Sequence, residues 1–256
     1  MVARKMRSVS WIGVGLLLLV SACSSDSETP EEAKANPKEQ VQLEQAEAPR
    51  QFKVKSTPVW DSWKTSEGKV MAHGAAEIKN TGKKPVRFDS VQLRFQDKDG
   101  RLLAKEEVLA VVPKVIHPGE SAYVGSTVPM EAAQKPEELR EVTLHTEYHP
   151  AYKEPAELQV KELQRDERDD RQPVVRGKVA NPDRETVQDV FVVTALKDKE
   201  GQLVAVIGDY LNRDIRPGDR IGFTAQDDQL PAEVTDQATQ VEAHAYPLFV
   251  GEQAKK

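Results

Sequence analysis

The sequence predicts an all-β protein made of two tandem antiparallel β-sandwiches, preceded by a leader and a disordered linker. Three observations carry that prediction. Apolar and polar residues alternate at period 2 in short runs, with turn signals about every ten residues and no long stretch at helical period. The chain repeats itself at an offset near one hundred residues. Its first fifty residues differ from the rest in composition and hold the only cysteine.

The leader comes first. Arg4, Lys5 and Arg7 precede an apolar run from Trp11 to Val20, followed by Val20-Ser21-Ala22-Cys23, a small-residue cleavage pattern that ends in a thiol. The twelve residues from Trp11 to Ala22 fall short of the roughly 20 needed to span a bilayer as a helix. The arrangement resembles a bacterial lipoprotein signal with its lipobox. The resemblance implies removal of residues 1–22, a diacylglyceryl group on Cys23, and a protein held on the extracytoplasmic face of the cell membrane. Stable anchoring takes about two lipid signals, which a diacylglyceryl group supplies.

With Cys23 given to lipid, no disulfide can form and thiolate-based zinc sites are excluded. Losing residues 1–22 removes three basic residues and no acid, moving the formal charge from −6 to −9. An acidic chain is a poor ligand for nucleic acid, whose affinity rests on Lys and Arg neutralising phosphates. It is equally unsuited to polybasic docking on an anionic bilayer.

Residues 23–49 read as a tether. Seven acids stand against Lys34 and Lys38, no aromatic residue occurs, and Val41 and Leu43 are the only larger aliphatics. Such a segment buries too little surface to offset its chain entropy.

From Arg50 the duplication begins. Ile78-Lys79-Asn80-Thr81 matches Val179-Ala180-Asn181-Pro182, and the stretch from Phe95 to Leu102 matches that from Leu196 to Leu203, both at an offset of 101. His117-Pro118-Gly119-Glu120 matches Arg216-Pro217-Gly218-Asp219 at 99, and 142–150 matches 239–247 at 97. A period near a hundred indicates two similar domains, 50–152 and 153–256, rather than a solenoid of roughly 20–50-residue repeats. Ala151 to Pro155 is the expected hinge. Within each unit, Val91, Leu93 and Phe95 alternate with polar residues as a half-buried strand, Asp99-Gly100 signals a two-residue hairpin, and Pro118-Gly119 and Pro217-Gly218 mark turns.

The stretches Leu93-Arg94-Phe95-Gln96-Asp97 and Thr194-Ala195-Leu196-Lys197-Asp198 look like the name-giving motif of the FxLYD domain. Ile78-Lys79-Asn80, Val179-Ala180-Asn181 and the Asp/Glu-Gly and Pro-Gly turns agree, while Gln96 and Lys197 replace the tyrosine and Thr194 the leading aromatic. The resemblance covers about residues 70–125 and 174–225. It implies an immunoglobulin-like sandwich and a surface or lipoprotein setting, and it transfers no site.

No nucleophile motif, metalloprotease signature or phosphate-binding glycine loop is present, so no catalytic residue and no cofactor is expected. His145, Glu147 and His149 share one face of a strand, which reads as its wet face more readily than as a metal site. Asp169-Asp170 and Asp227-Asp228 lack EF-hand spacing and read as solvated loops. Two features remain as candidate binding positions. Trp60 and Trp63 sit in a segment whose second-unit counterpart carries no aromatic, and they suit either core capping or a recognition loop. Phe191 and Val193, with Ala195, make the outward face of a central strand apolar where the first unit has Ser90, Gln92 and Arg94. A strand apolar on both faces is buried on both, under a loop of its own unit, the first domain, a second copy or a partner.

The sequence thus leads to a non-enzymatic, membrane-anchored binding or display module in the cell envelope, contacting an envelope protein or wall polymer. A carrier of a small ligand or metal is the alternative.

Overall fold

A computed structural model describes residues 52–151, 158–167 and 172–248. The lipobox, the tether, most of the expected hinge and Asp169-Asp170 lie outside the described residues. No described helix is long and apolar enough to cross a membrane.

The described chain is almost wholly antiparallel β. In the first half run β1 (Val54–Lys64), β2 (Val70–Asn80), β3 (Val86–Gln96), β4 (Leu102–Glu107), β5 (Val115–Ile116), β6 (Ser121–Pro129) and β7 (Glu141–Pro150). The second half contains β8 (Gln159–Glu167), β9 (Pro173–Ala180), β10 (Val190–Lys197), β11 (Leu203–Leu211), β12 (Arg220–Gln226), a single helical turn α1 (Ala232–Thr235) and β13 (Gln240–Pro247). β1-β2-β6 form one sheet, and β4-β3-β5 with β7 form another. The second half follows the same pairings, β8-β9-β12 and β11-β10-β13, but a Gly208–Gln226 pair joins them into one six-stranded sheet. Its two end strands meet at a Leu158–Ala245 bridge, which nearly closes it.

The repeated motifs are repeated hydrogen-bond networks. Asn80, fully buried, donates from Nδ2 to the carbonyls of Lys84 and Ile116 and accepts from the Gly82 N–H. Asn181 does the same with Glu185, Ile215 and Asp183. The Asp97 carboxylate accepts the N–H groups of Asp99 and Arg101, and the Asp198 carboxylate those of Glu200 and Gln202. These bonds correct the two-residue hairpin reading. The closing pair is Asp97–Arg101, and only Gly100 takes positive φ, at 79°, so the turn is longer and relies on the aspartate and one glycine.

Leu93, Phe95, Val128 and Val142, with Ile78, Val86, Phe88 and Val124, fill the space between the sheets of the first half. Val190, Val192, Leu196, Ile207 and Phe223 fill the interior of the second. A third cluster lies between the halves: Ala75, Val112 and Tyr123 from the first pack on Val193, Ala195, Val206 and Tyr246 from the second. The outer face of β1-β2-β6 therefore lies against β10-β11-β13. At Gly125 a Cβ would stand 2.7 Å from the Val206 Cβ and 2.8 Å from its carbonyl oxygen, so the absent side chain permits this approach.

Candidate functional site

Alternation along the strands creates the seam. On β2, Ala72 and Ile78 point into the first half's interior, whereas His73 and Ala75 point at the second half. On β6, Ala122 and Val124 point inward, and Tyr123, Gly125 and Thr127 outward. On β10, Val193 and Ala195 are 2% and 0% exposed, and the first half covers them. Of the covers that two-sided apolarity allowed, the structure has the first half of the chain. Phe191 packs at the edge of the same cluster, its ring against Gly208.

The tryptophans lie elsewhere than the sequence suggested. Both belong to β1, not to a loop after it, because the strand pairs with β2 as far as Lys64–Val70. They are three residues apart and so take opposite faces. Trp60 packs on the first half's core, and Trp63 reaches the core of the second. The charged counterpart in the second half, which begins at Gln164, is likewise strand up to Glu167. His145, Glu147 and His149 occupy the exposed face of β7, where His149 pairs with Asp89 at 2.7 Å.

Two polar networks cross the seam. In one, the Tyr123 hydroxyl donates to Glu242 Oε2 at 3.1 Å and accepts from Lys197 Nζ at 2.8 Å. Lys197 also pairs with the Glu242 carboxylate, and His244 Nε2 lies 2.8 Å from Glu242 Oε1. The His244 ring stacks on Tyr123 with centroids 5.7 Å apart, and the Lys197 ammonium sits 4.9 Å from the Tyr123 ring centre. The bonds from His244 and Lys197 hold the Glu242 carboxyl down at about 2, against the effect of burial. Burial works against the Lys197 charge, yet its bonds to Glu242 and Tyr123 keep its pKa above the usual value. Burial raises Tyr123, partly offset by Lys197.

In the other network, His73 is 1% exposed. The Val206 N–H donates to its Nε2 at 3.3 Å, so the ring proton resides on Nδ1, which donates to Thr127 Oγ1 at 2.9 Å. The Thr127 hydroxyl donates to Asp227 Oδ2. Burial pushes His73 down to about 4, only partly countered by Asp227. The order of donors runs away from nucleophile activation: the acceptor nitrogen is taken by a backbone N–H, and the hydroxyl proton points to the aspartate. Asp227, read from sequence as loop solvation, here ties the halves together.

Beside the first network a cleft of about 800 Å³ opens between the halves, walled by Val115, Ser121 and Tyr123 on one side and by Leu158, Lys161, Glu242, His244 and Tyr246 on the other. The Tyr246 hydroxyl is buried against the Val115 backbone, makes no hydrogen bond of full geometry among the described residues, and has its pKa raised by burial. No group of three or more His, Cys, Asp or Glu suited to a metal ion occurs among the described residues. Sequence reasoning missed this site because members such as Val115 and Tyr246 stand 131 positions apart, and no local pattern brings them together.

No protein-family model matches the chain, and a search of the curated proteins finds no match. Among solved structures, the crystal structure of a Bordetella pertussis protein assigned as ApaA is similar at 12% identity, over 71% of this chain and 98% of its own, with a TM-score of 0.26. A superposition that loose carries no argument about fold or function.

Proposed function

We propose that the chain is a lipid-anchored, extracytoplasmic envelope protein whose two FxLYD-like, immunoglobulin-like β-sandwiches (50–152 and 153–256) form a non-enzymatic binding or display unit. Cys23 carries the lipid, and the acidic tether sets the folded part off the membrane. The observation that supports the binding role best is the composite cleft, whose walls come from both halves and whose polar network crosses between them. Because the halves are buttressed by a buried apolar cluster, the unit presents one preformed surface instead of two modules swinging on a hinge. A preformed surface loses less ordering entropy on association. Its partner on this reading is an envelope protein or wall polymer.

The test is site-specific photocross-linking in cells from Lys161, at the cleft, with Lys83, on the exposed Thr81–Lys84 turn of the first half, as the control. A discrete adduct with another envelope component from Lys161 alone supports the reading. Equal labelling from both positions sinks it.

The second reading, a small-ligand carrier, is favoured by the volume of the cleft and by the buried Tyr246 hydroxyl on its wall. A small molecule that raises the melting temperature of the wild type and not of Tyr246→Phe would select it.

A further inference from the structure

The first half covers β10, β11 and β13 and leaves the other strands of the six-stranded sheet open on their outer face. There Lys161, Gln164, Arg176, Lys178, Arg220 and Thr224 are all exposed. The middle of this face is flat, because Gly222 has no side chain and a Cβ there would meet nothing nearer than 3.9 Å. Lys178 stands directly opposite Gly222, Arg176 opposite Thr224, and Lys161 opposite Lys178. Like charges placed opposite one another destabilise a strand pair. A bulge in β8 relieves this one: Glu162 takes φ of 55° there, and its carboxylate pairs with Lys178. Arg176 pairs with Asp166, while Lys161 and Arg220 make no ion pair among the described residues. Four cations thus face two acids. The neighbouring carboxylates of Asp209 and Asp219 accept the backbone N–H groups of Thr224 and Arg216.

The cations adjoin an aromatic ring. Two residues past the Gly208–Gln226 pair, Tyr210 and Thr224 lie on the outer face of adjoining strands, where the Asp209 carboxylate takes the Thr224 N–H at 2.8 Å. Tyr210 is 45% exposed, the only aromatic among the exposed large apolar residues of the described chain. Its hydroxyl donates to Asp189, which fixes the orientation of the ring. Asp189 takes φ of 52°, and Glu162 and Asp189 are the only non-glycine residues at positive φ among the described residues. Both strained residues therefore serve this face, one by holding Lys178 and the other by holding Tyr210. The ring and Arg176 are two strand spacings apart, about 10 Å.

We propose that this outer face binds a linear, phosphate-bearing glycan, with a sugar ring on Tyr210 and phosphates on Arg176, Lys178 and Lys161. The C–H face of a sugar packs on an aromatic ring, and the guanidinium and ammonium groups donate charge-assisted bonds to phosphate oxygens. Exposed ion pairs contribute little, so phosphate displaces Glu162 and Asp166 at small cost. The proposal rests on the binding reading above for an envelope partner and commits that partner to a polymer. The surface lies outside the cleft and meets it at Lys161. Charge favours a polymer over a bilayer: the chain carries −6 overall, and a broad anionic membrane would meet the surrounding acids as well as the cations. A single polymer strand touches the face alone.

The test is binding of phosphorylated dextran to the chain from residue 23, intact except for Cys23→Ala. Unmodified dextran, inorganic polyphosphate, a single-stranded oligodeoxynucleotide and vesicles of anionic lipid are the comparisons. The expected result is binding to phosphorylated dextran that weakens with added salt, and none to unmodified dextran. Arg176→Gln/Lys178→Gln should weaken it about tenfold. Tyr210→Ser should weaken it about fivefold and leave polyphosphate binding unchanged, because only the glycan has a ring to stack. Arg94→Gln/Lys105→Gln removes equal charge from a cross-strand pair of the first half and should change nothing. All five residues are exposed, so the variants keep the fold, which their melting temperatures verify. Absence of binding to phosphorylated dextran at low salt overturns the proposal, as does equal weakening by the two double replacements or an equal effect of Tyr210→Ser on both polyanions. Tighter binding of the oligonucleotide or the vesicles overturns it too. Each of these outcomes leaves the cross-linking test at the cleft standing.

Discussion

Val206 donates its backbone N–H to Nε2 of His73 across 133 positions of sequence, and that bond fixes the tautomer of a histidine buried between the halves. Protonating His73 would set a second N–H against the Val206 N–H, so the neutral ring is part of the seam. Its pKa, about 4 in the fold against 6.5 in the open chain, makes the unfolded state the better proton binder. Stability is therefore fully present above pH 6.5, falls as the pH drops through that value, and levels off below about 4. Between pH 7 and 4.5 the loss is about 2–3 kcal/mol. Urea titrations across that window should show it, and His73→Gln should flatten the slope. Equal slopes in both proteins would remove His73 from the account.

Glu242 responds in the opposite window. Its carboxyl is held at about 2, so its contribution exists above the ordinary carboxylate pKa of 4.5 and is lost as the pH falls towards 2. Glu242→Gln should lower the melting temperature at pH 7, and the difference from wild type should shrink steadily below pH 4.5. A constant difference down to pH 2 would mean that the pair with Lys197 and His244 contributes nothing.

The two buried asparagines predict matched costs. Asn80→Ala leaves one buried carbonyl, one part-buried carbonyl and one N–H without their partner, and Asn181→Ala leaves the equivalent set. Each replacement should cost about 3 kcal/mol, a fall in melting temperature of about 6–12 °C. Because the seam couples the halves, calorimetry should show a single transition in both variants. Two separated transitions would mean that the halves unfold independently.

Gly125→Ala places a methyl group 2.7 Å from Val206 Cβ, so β6 and β11 must separate or shift. Overpacking of this kind costs about 1–3 kcal/mol. The same change at Gly119 meets open space and strains only the turn, with φ at +90°. Gly125→Ala should speed exchange of the amides of Phe191 to Ala195, and Gly119→Ala should leave them protected. Protection of that strand in both variants would deny that the first half covers it.

The replacement of Trp63 separates core from seam. Trp60→Ala should destabilise through the first half's core alone, whereas Trp63→Ala opens a void against the second half's core. Limited proteolysis should cut the 151–158 connection faster in Trp63→Ala than in Trp60→Ala. The reverse order would contradict the opposite-face assignment.

The strands were legible because their physics is local. Val91, Leu93 and Phe95 alternate in sequence and are fully buried in the fold, and the Asn80/Asn181 and Asp97/Asp198 pairs stand out at offset 101 because the same turns need the same hydrogen bonds. The two-sided apolarity of β10 showed that something covers it, but no local pattern says which surface does. A second sign stood in β2, where Val70 to Ala76 are small or apolar apart from His73, and all are buried because one face meets each half. The seam networks were not legible. Tyr123, Lys197, Glu242 and His244 meet only through tertiary packing, and Asp227 looks like any loop acid until Thr127 is placed against it.

An envelope role requires that the chain be held at the membrane through Cys23. Intact-mass and peptide analysis of the protein purified from the membrane fraction should find an N-terminus at Cys23 bearing a diacylglyceryl group, with no peptide from residues 1–22. Cys23→Ala should release the protein from the membrane or leave the leader attached. An unmodified Cys23 within a chain that still begins at Met1, recovered from the soluble cytosolic fraction of wild-type cells, would contradict it.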